Sequence, residues 1–316
     1  MPLADLEEHT MTLATRTPPT AEEFTDYKRR FSNWGRWGAD DEFGTLNFIT
    51  PDVYRAAAAL VTEGRSVSCA NPLAVTPAPR NPNPAQHFMR FGPAGSSDYI
   101  GVSYHGFVNT HIDALCHMWT GPWDQMYNGR PVSDVTTGGS RSNSVDRWRD
   151  GIVTRGVLYD VPRFRGAPYV EVGKPVHGWE LADIAKAQGI EPRPGDAVLV
   201  RSGTEPFFAA NPDFPHTSPP STPGVHVSAL EFLYETSAAL LGWDLQEAGG
   251  QSEYPARIGI HEVAIPYMGL PLLDNTNFER LAQTCAELGR WEFQLTIAPL
   301  VLLGGTGSPV NPIAVF

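Results

Sequence analysis

Proline and glycine break this chain at short intervals. Among its 316 residues are 29 prolines and 30 glycines, spread along the sequence rather than gathered in one tract. Proline removes a backbone donor and glycine loosens the chain, so a loop-rich fold of short strands is expected. The hydrophobic fraction, 41%, is large enough to bury a sizeable core. No internal repeat is visible, and no shift in composition marks a linker.

Within that punctuation the elements read as mixed α and β. PDVYRAAAALV at 51–61, GWELADIAKAQG at 178–189, VSALEFLYETSAA at 227–239 and TNFERLAQTCAELG at 276–289 have the apolar spacing and end signals of helices. GIVTRGVLYDV at 151–161, DAVLVRSG at 196–203 and WEFQLTIAPLVLLGG at 291–305 read as strands, the last as a strand or strand pair. The proline- and asparagine-rich stretch 70–98 reads as loop. The polar residues 1–33 read as an N-terminal arm, followed by a single domain over 34–316.

The formal net charge of -12 leaves no basic footprint for nucleic acid or anionic membranes. The longest apolar run, IAPLVLL near residue 300, is too short to cross a bilayer, and the N-terminus lacks the basic and apolar regions of a signal peptide. Three cysteines, Cys69, Cys116 and Cys285, form no CxxC pair and read as free thiols. A cytoplasmic protein acting on a small molecule is expected.

The chemistry concentrates in HGFVNTHIDALCHMW, residues 105–119, which carries His105, His111, Asp113 and His117 although the chain has only nine histidines. On a strand, His111 and Asp113 project to the same face; if DALCHMW turns helical, His117 joins that face four residues on. His105 can join if the chain folds back at Gly106. Packing a carboxylate among imidazoles is costly unless a metal or a dense hydrogen-bond network compensates, and nitrogen and oxygen ligands without thiolate suit Zn²⁺ or Mn²⁺. Cys116 lies between these positions and reads as packing. His9, His87, His177 and His216 have no partner pattern and default to the surface.

HGFVNTHIDALCH, followed by MYNG at 126–129, resembles the signature of the cyclase family that includes bacterial kynurenine formamidase and isatin hydrolase. WGADDEFGTLNFITPD at 37–52, RPGDAVLVRSG at 193–203 and GGTGSPVNPIAVF at 304–316 extend the resemblance over nearly the whole chain from about Trp34. It implies a swivelling β/β/α arrangement, a metal-dependent hydrolase activity and a homo-oligomer, dimer or tetramer, with active sites near the subunit boundary. The family motif HxxxHxDxxxH maps its second histidine, aspartate and last histidine onto His111, Asp113 and His117. Its first histidine falls on Phe107, so that position is either supplied by His105 or missing, which leaves open whether one ion or two are held.

A later segment, IGIHEVAIPYMGLPLLDNTNF, matches the family's further ligands with His261 and with Asp274, where glutamate is usual. Glu262 would then point away on a strand. The resemblance thus implies metal ligands His105, His111, Asp113, His261 and Asp274, with His117 moving the proton. Phe107, Trp119 and His226 are candidates for the substrate pocket. The implied reaction is hydrolysis of a small, often aromatic, formamide, amide, imide or lactone. A ring-closing or dehydrating enzyme of specialised metabolism, or a ligand-binding relative without catalysis, are the alternatives. Other signals carry less: GGTGSP lacks the phosphate-loop pattern, and Ser202 has no GxSxG elbow.

Overall fold

The computed structural model describes residues 12–214, 222–250, 253–256 and 258–316. His9 and His216 lie outside the described residues. The fold is mixed α/β, as the sequence predicts. Its strands are β1 (Ser66–Ser68), β2 (Gln86–Gly92), β3 (Gly95–Gly101), β4 (His111–Asp113), β5 (Val135–Thr136), β6 (Gly139–Ser140), β7 (Ile152–Asp160), β8 (Ala197–Arg201), β9 (Leu240–Trp243), β10 (Leu272–Asp274), β11 (Glu292–Ile297), β12 (Gly307–Pro309) and β13 (Ile313–Val315). Nine of them form one sheet in the order β1-β13-β11-β7-β8-β9-β10-β4-β12. The centre, β7 through β10, is parallel, and β4 runs antiparallel between β10 and β12.

Side-chain alternation sorts the sheet's two faces into two apolar cores. Val157, Tyr159, Val198, Val200, Leu241 and Leu272 face one core; Leu158, Leu199, Leu240, Leu273 and Ile112 face the other. Strands buried on both faces are apolar at successive positions, which is how the expected strands at 151–161 and 196–203 are recognised. The predicted helices appear at Pro51–Ala58, Gly178–Gln188, Ala229–Glu235 and Glu279–Leu288, shortened mainly at their ends. Thr50 caps the first of these ahead of Pro51, and Gly189 and Gly289 close two others in the left-handed conformation that glycine tolerates.

Several expectations differ from the structure. The stretch 70–98 is not loop throughout: β2 and β3 form a hairpin whose residues are almost all exposed, so no buried face announces it in the sequence. The strand expected over 291–305 ends at Ile297, and Leu300 and Leu303 beyond it are 56% and 70% exposed. Residues 12–33, read as an arm, are packed in: Phe24, Tyr27 and Phe31 of the segment around helix Ala21–Arg30 are buried in the first core. His261 lies on the short helix Gly259–Val263 rather than on a strand. Among the described residues no helix is long and apolar enough to cross a membrane.

Candidate metal centre

β4 places the first two candidate ligands. His111 and Asp113 point to one face while Ile112, between them, enters the opposite core. The antiparallel register sets Asp274 of β10 directly across from His111, and Leu272 across from Asp113, so Asp274 joins the same face. On the other side of β4, Asp113 faces Gly307 of β12. A Cβ on Gly307 would lie 2.9 Å from His105 Cε1 and 2.5 Å from the Ile112 carbonyl oxygen, so this glycine makes room for the His105 ring. The chain returns His105 to the sheet through Gly106, whose φ of +148° is open to glycine and rare for other residues.

The helix expected from Asp113 does not form. The Ala114 and Cys116 amides donate to the carbonyls of Thr306 and Asn143, so the backbone is bound to other segments and only a tight turn, His117 N–H to Ala114 O at 2.9 Å, remains. That turn still delivers His117. Cys116 is buried in the second core, as its packing role requires, and burial pushes its thiol up to about 12.

Asp113 is the hub. Its Oδ1 lies 2.9 Å from His105 Nδ1 and 3.4 Å from His111 Nε2; its Oδ2 lies 3.7 Å from both His117 Nε2 and His261 Nε2. Asp274 Oδ2 stands 3.4 Å from His261 Nε2 and 3.9 Å from His111 Nε2. The His105 and His117 rings stack with centroids 3.9 Å apart. The candidate ligands, His105 among them, therefore gather around the Asp113 and Asp274 carboxylates.

A second layer of contacts orients these groups, and the sequence did not disclose it. His111 Nδ1 donates to the Asn109 carbonyl at 2.8 Å, and His261 Nδ1 donates to Glu247 Oε2 at 2.6 Å. Each contact turns Nε2 toward the carboxylates. His105 Nε2 is held by Thr306 Oγ1 at 3.0 Å. Asp274 accepts from Trp243 Nε1 at 2.6 Å and from Gln246 Nε2 at 2.5 Å. Glu247, Trp243 and Gln246 come from the end of β9 and the loop after it. The centre thus sits at the carboxyl ends of parallel strands, where open α/β sheets place their ligands.

The three pocket candidates sit outside the ligand cluster, Phe107 beside it in a cavity that His105 also lines. His226 is buried, with Nδ1 3.0 Å from Ser228 Oγ and Nε2 3.4 Å from Tyr254 Oη, and its ring packs on His177. Trp119 is half-buried against the second core. Phe107, 41% exposed, lines a cavity of about 240 Å³ together with His105, Tyr104 and Arg80. His177, expected at the surface, is half-buried.

The electrostatics show what the cluster lacks. Burial works to raise the Asp113 carboxyl, but His117, His105 and His111 around it hold it well below the usual carboxylate range. Burial works against a charged His111, yet Asp113 and Asp274 push it up to about 9. His261 is likewise raised well above its ordinary value, against burial, by Glu247 and Asp274. His117 goes the other way, to about 4, through burial and the neighbouring imidazoles. Buried carboxylates here demand positive charge, supplied either by imidazolium protons or by a cation.

The donors fit a cation. Both Asp113 oxygens and His105 Nδ1 are buried without a hydrogen-bond partner, although His105 and Asp113 are in contact. Such orphaned atoms are rare in protein interiors. Two triads, His105–Asp113–His117 and His111–Asp113–Asp274, each bring their ligand atoms within 4.8 Å of one another and share Asp113. Three imidazoles, an aspartate pair and no thiolate form a nitrogen and oxygen set suited to a divalent ion.

Comparison with known proteins agrees with this architecture. A crystal structure described as a novel cyclase superposes with a TM-score of 0.79 at 27% identity, covering 92% of this chain and 99% of its own. An isatin hydrolase bound to the product analogue thioisatinate shares the fold with a TM-score of 0.56 at 18% identity, over 81% of this chain and 93% of its own. Isatin hydrolase A from Labrenzia aggregata, bound to benzyl benzoate, gives 0.57 at 21% identity over 82% and 94%. No curated protein matches the sequence. The family model described as "Putative cyclase" matches residues 25–248, well over half of the chain, and its start at residue 25 agrees with the burial of Phe24, Tyr27 and Phe31. The chain belongs to the putative cyclase family.

Proposed function

We propose that the protein is a metal-dependent hydrolase that opens a small formamide, amide, imide or lactone. The observation that carries this reading is the Asp113 carboxylate, buried among imidazoles with neither oxygen hydrogen-bonded. His105, His111, Asp113, His261 and Asp274 would hold one or two ions, Zn²⁺ or Mn²⁺; Asp113 belongs to both triads of converging ligand atoms, and His261 Nε2 reaches the same two carboxylates at 3.7 and 3.4 Å. Such an ion supplies Lewis acidity toward a carbonyl oxygen and makes water a stronger acid.

The chain's own groups do the rest. Asn109, Glu247 and Thr306 fix the imidazoles so that the nitrogens facing Asp113 need no reorganisation. His117, stacked on His105 with a quarter of its side chain exposed, takes the proton of the attacking water. It returns that proton to the leaving nitrogen or oxygen as the acyl bond breaks. Water's oxygen ends in the new carboxyl group, and its protons are shared between the products.

Solvent labelled with oxygen-18 tests the reaction on metal-loaded protein screened against formamides, imides and lactones. One label per turnover in the acid product is expected. Turnover without label, by ring closure or dehydration, would overturn hydrolysis.

A further inference from the structure

Most buried or half-buried arginines among the described residues hold a carboxylate; Arg80 does not, and neither does Arg290, which instead donates to Thr62 Oγ1 and lies over the Phe316 ring, whereas Arg80 lines a cavity together with His105. Arg155 holds Asp196 and Glu292, Arg201 holds Asp160 and Glu279, and Arg165 holds Glu180. Arg80 is half-buried with no carboxylate in ion-pair contact among the described residues, and its Nε is buried without a hydrogen-bond partner. Its guanidinium carbon sits 3.2 Å from the Phe208 ring centroid. Burial lowers its pKa to about 10, where partners raise those of Arg155 and Arg201. An uncompensated guanidinium in an apolar setting is costly to keep unless something arrives to pair with it.

Its surroundings say what could arrive. Arg80 lines two adjoining cavities. One, of about 240 Å³, it shares with His105 of the metal centre. The other is walled by Phe107, Phe207, Phe208 and Phe214 and also reaches Glu247. Phe207 packs edge-on against both Phe208 and Phe214 at 5.0 Å between centroids. The carboxylates in that wall are held by other partners, although Glu247 Oε1 is itself buried without one. Asp244 accepts backbone N–H bonds from Ser202, Gly203, Thr204 and Leu245, and Glu247 accepts from His261.

We infer that Arg80 is the anion anchor of the substrate pocket, and that the substrate is a carboxylate on an apolar, ring-bearing skeleton. The carboxylate pairs with the guanidinium, the ring lies among the phenylalanines, and the reacting carbonyl lies toward His105. A planar guanidinium already stacked on a ring keeps its donor edge for a carboxylate. This rests on the hydrolase reading for the chemistry at His105, but not for the anchor itself.

The test is calorimetric titration of metal-loaded protein at pH 7.5 with 3-phenylpropanoate and with its neutral amide. The wild type is compared with Arg80→Gln and Arg80→Lys. The acid is expected to bind the wild type more tightly than the amide, and Arg80→Gln to lose roughly ten- to a hundredfold in acid affinity with the amide unchanged. Arg80→Lys, which keeps the charge but not the planar fork, should fall between. No binding of the acid, equal binding of acid and amide by the wild type, or an acid affinity indifferent to Arg80 overturns the inference. Metal content, read on the same samples, separates the two readings. An Arg80-dependent acid preference in protein that takes up no metal would sink the hydrolase and leave the anchor standing.

Discussion

Two groups of histidines lie within this fold, and their partners differ. Around Asp113, four imidazoles face carboxylates, and His111 and His261 are pushed toward the charged form. Around Ser228, His177 and His226 face a hydroxyl, the Tyr254 phenol and each other, with His177 stacked on Trp179 at 4.1 Å. Burial lowers His177 to about 4 and His226 to about 3. Glu180, the acid nearest His177 in effect, is taken up by Arg165. Buried histidines alone therefore do not make a cation site. A carboxylate with unspent lone pairs is what fits the first group to a cation, and the other group is neutral, hydrogen-bonded packing.

The comparison breaks most directly at its hub. Asp113→Asn keeps the shape but removes the charge shared by both triads, and turnover should fall by roughly a thousandfold or more, since the ion's contribution is lost as a whole. Steady-state rates on any substrate found by the screen read this, and near-normal activity would remove Asp113 from the centre. A smaller effect is expected one layer out. Glu247→Gln leaves an acceptor for His261 Nδ1 but weakens the pull that turns Nε2 inward, so metal affinity should drop roughly ten- to a hundredfold while the fold is kept. Competition with a chelating dye measures it, and an unchanged affinity would make Glu247 a bystander.

The second group gives the mildest effect, on stability rather than on metal. The folded pKa values of His177 and His226 lie below the unfolded value, so their contribution is complete above about pH 6.5. It is lost as pH falls toward 4 and 3, because the unfolded chain gains protons that the folded chain refuses. His226→Asn, which offers an acceptor near the position of Nδ1 without titrating, should flatten the fall in stability between pH 6.5 and 4 and leave metal content unchanged. Urea unfolding at several pH values decides it; parallel slopes for variant and wild type would show that His226 titrates normally.

The two groups were unequally legible in the sequence. The β4 ligands could be read from spacing, because a strand puts His111 and Asp113 on one face whatever surrounds it. His261 and Asp274 came only through family resemblance, since contacts more than 140 residues away in sequence leave no local pattern. Glu247 and Gln246 were not legible at all: they reach the centre from the loop after β9, and their role depends on its path. The helix expected after Asp113 does not form, and the turn found there is tied by the Ala114 and Cys116 amides to Thr306 and Asn143, tertiary contacts that propensity cannot anticipate. His177 shows the opposite error, in that an isolated histidine defaults to the surface although neutral imidazoles bury readily once a hydroxyl partners them. Apolarity misled in the same way at 300–303, where the run reads as strand yet lies exposed.

The central claim is that the Asp113 cluster holds a divalent ion. Metal content per chain by plasma mass spectrometry tests it most directly, on untagged wild type and Asp113→Asn purified without chelator and reloaded with zinc or manganese. One or two equivalents in the wild type and essentially none in the variant is the predicted result. A wild type that stays empty after reloading, or a variant that holds as much metal as the wild type, would contradict it.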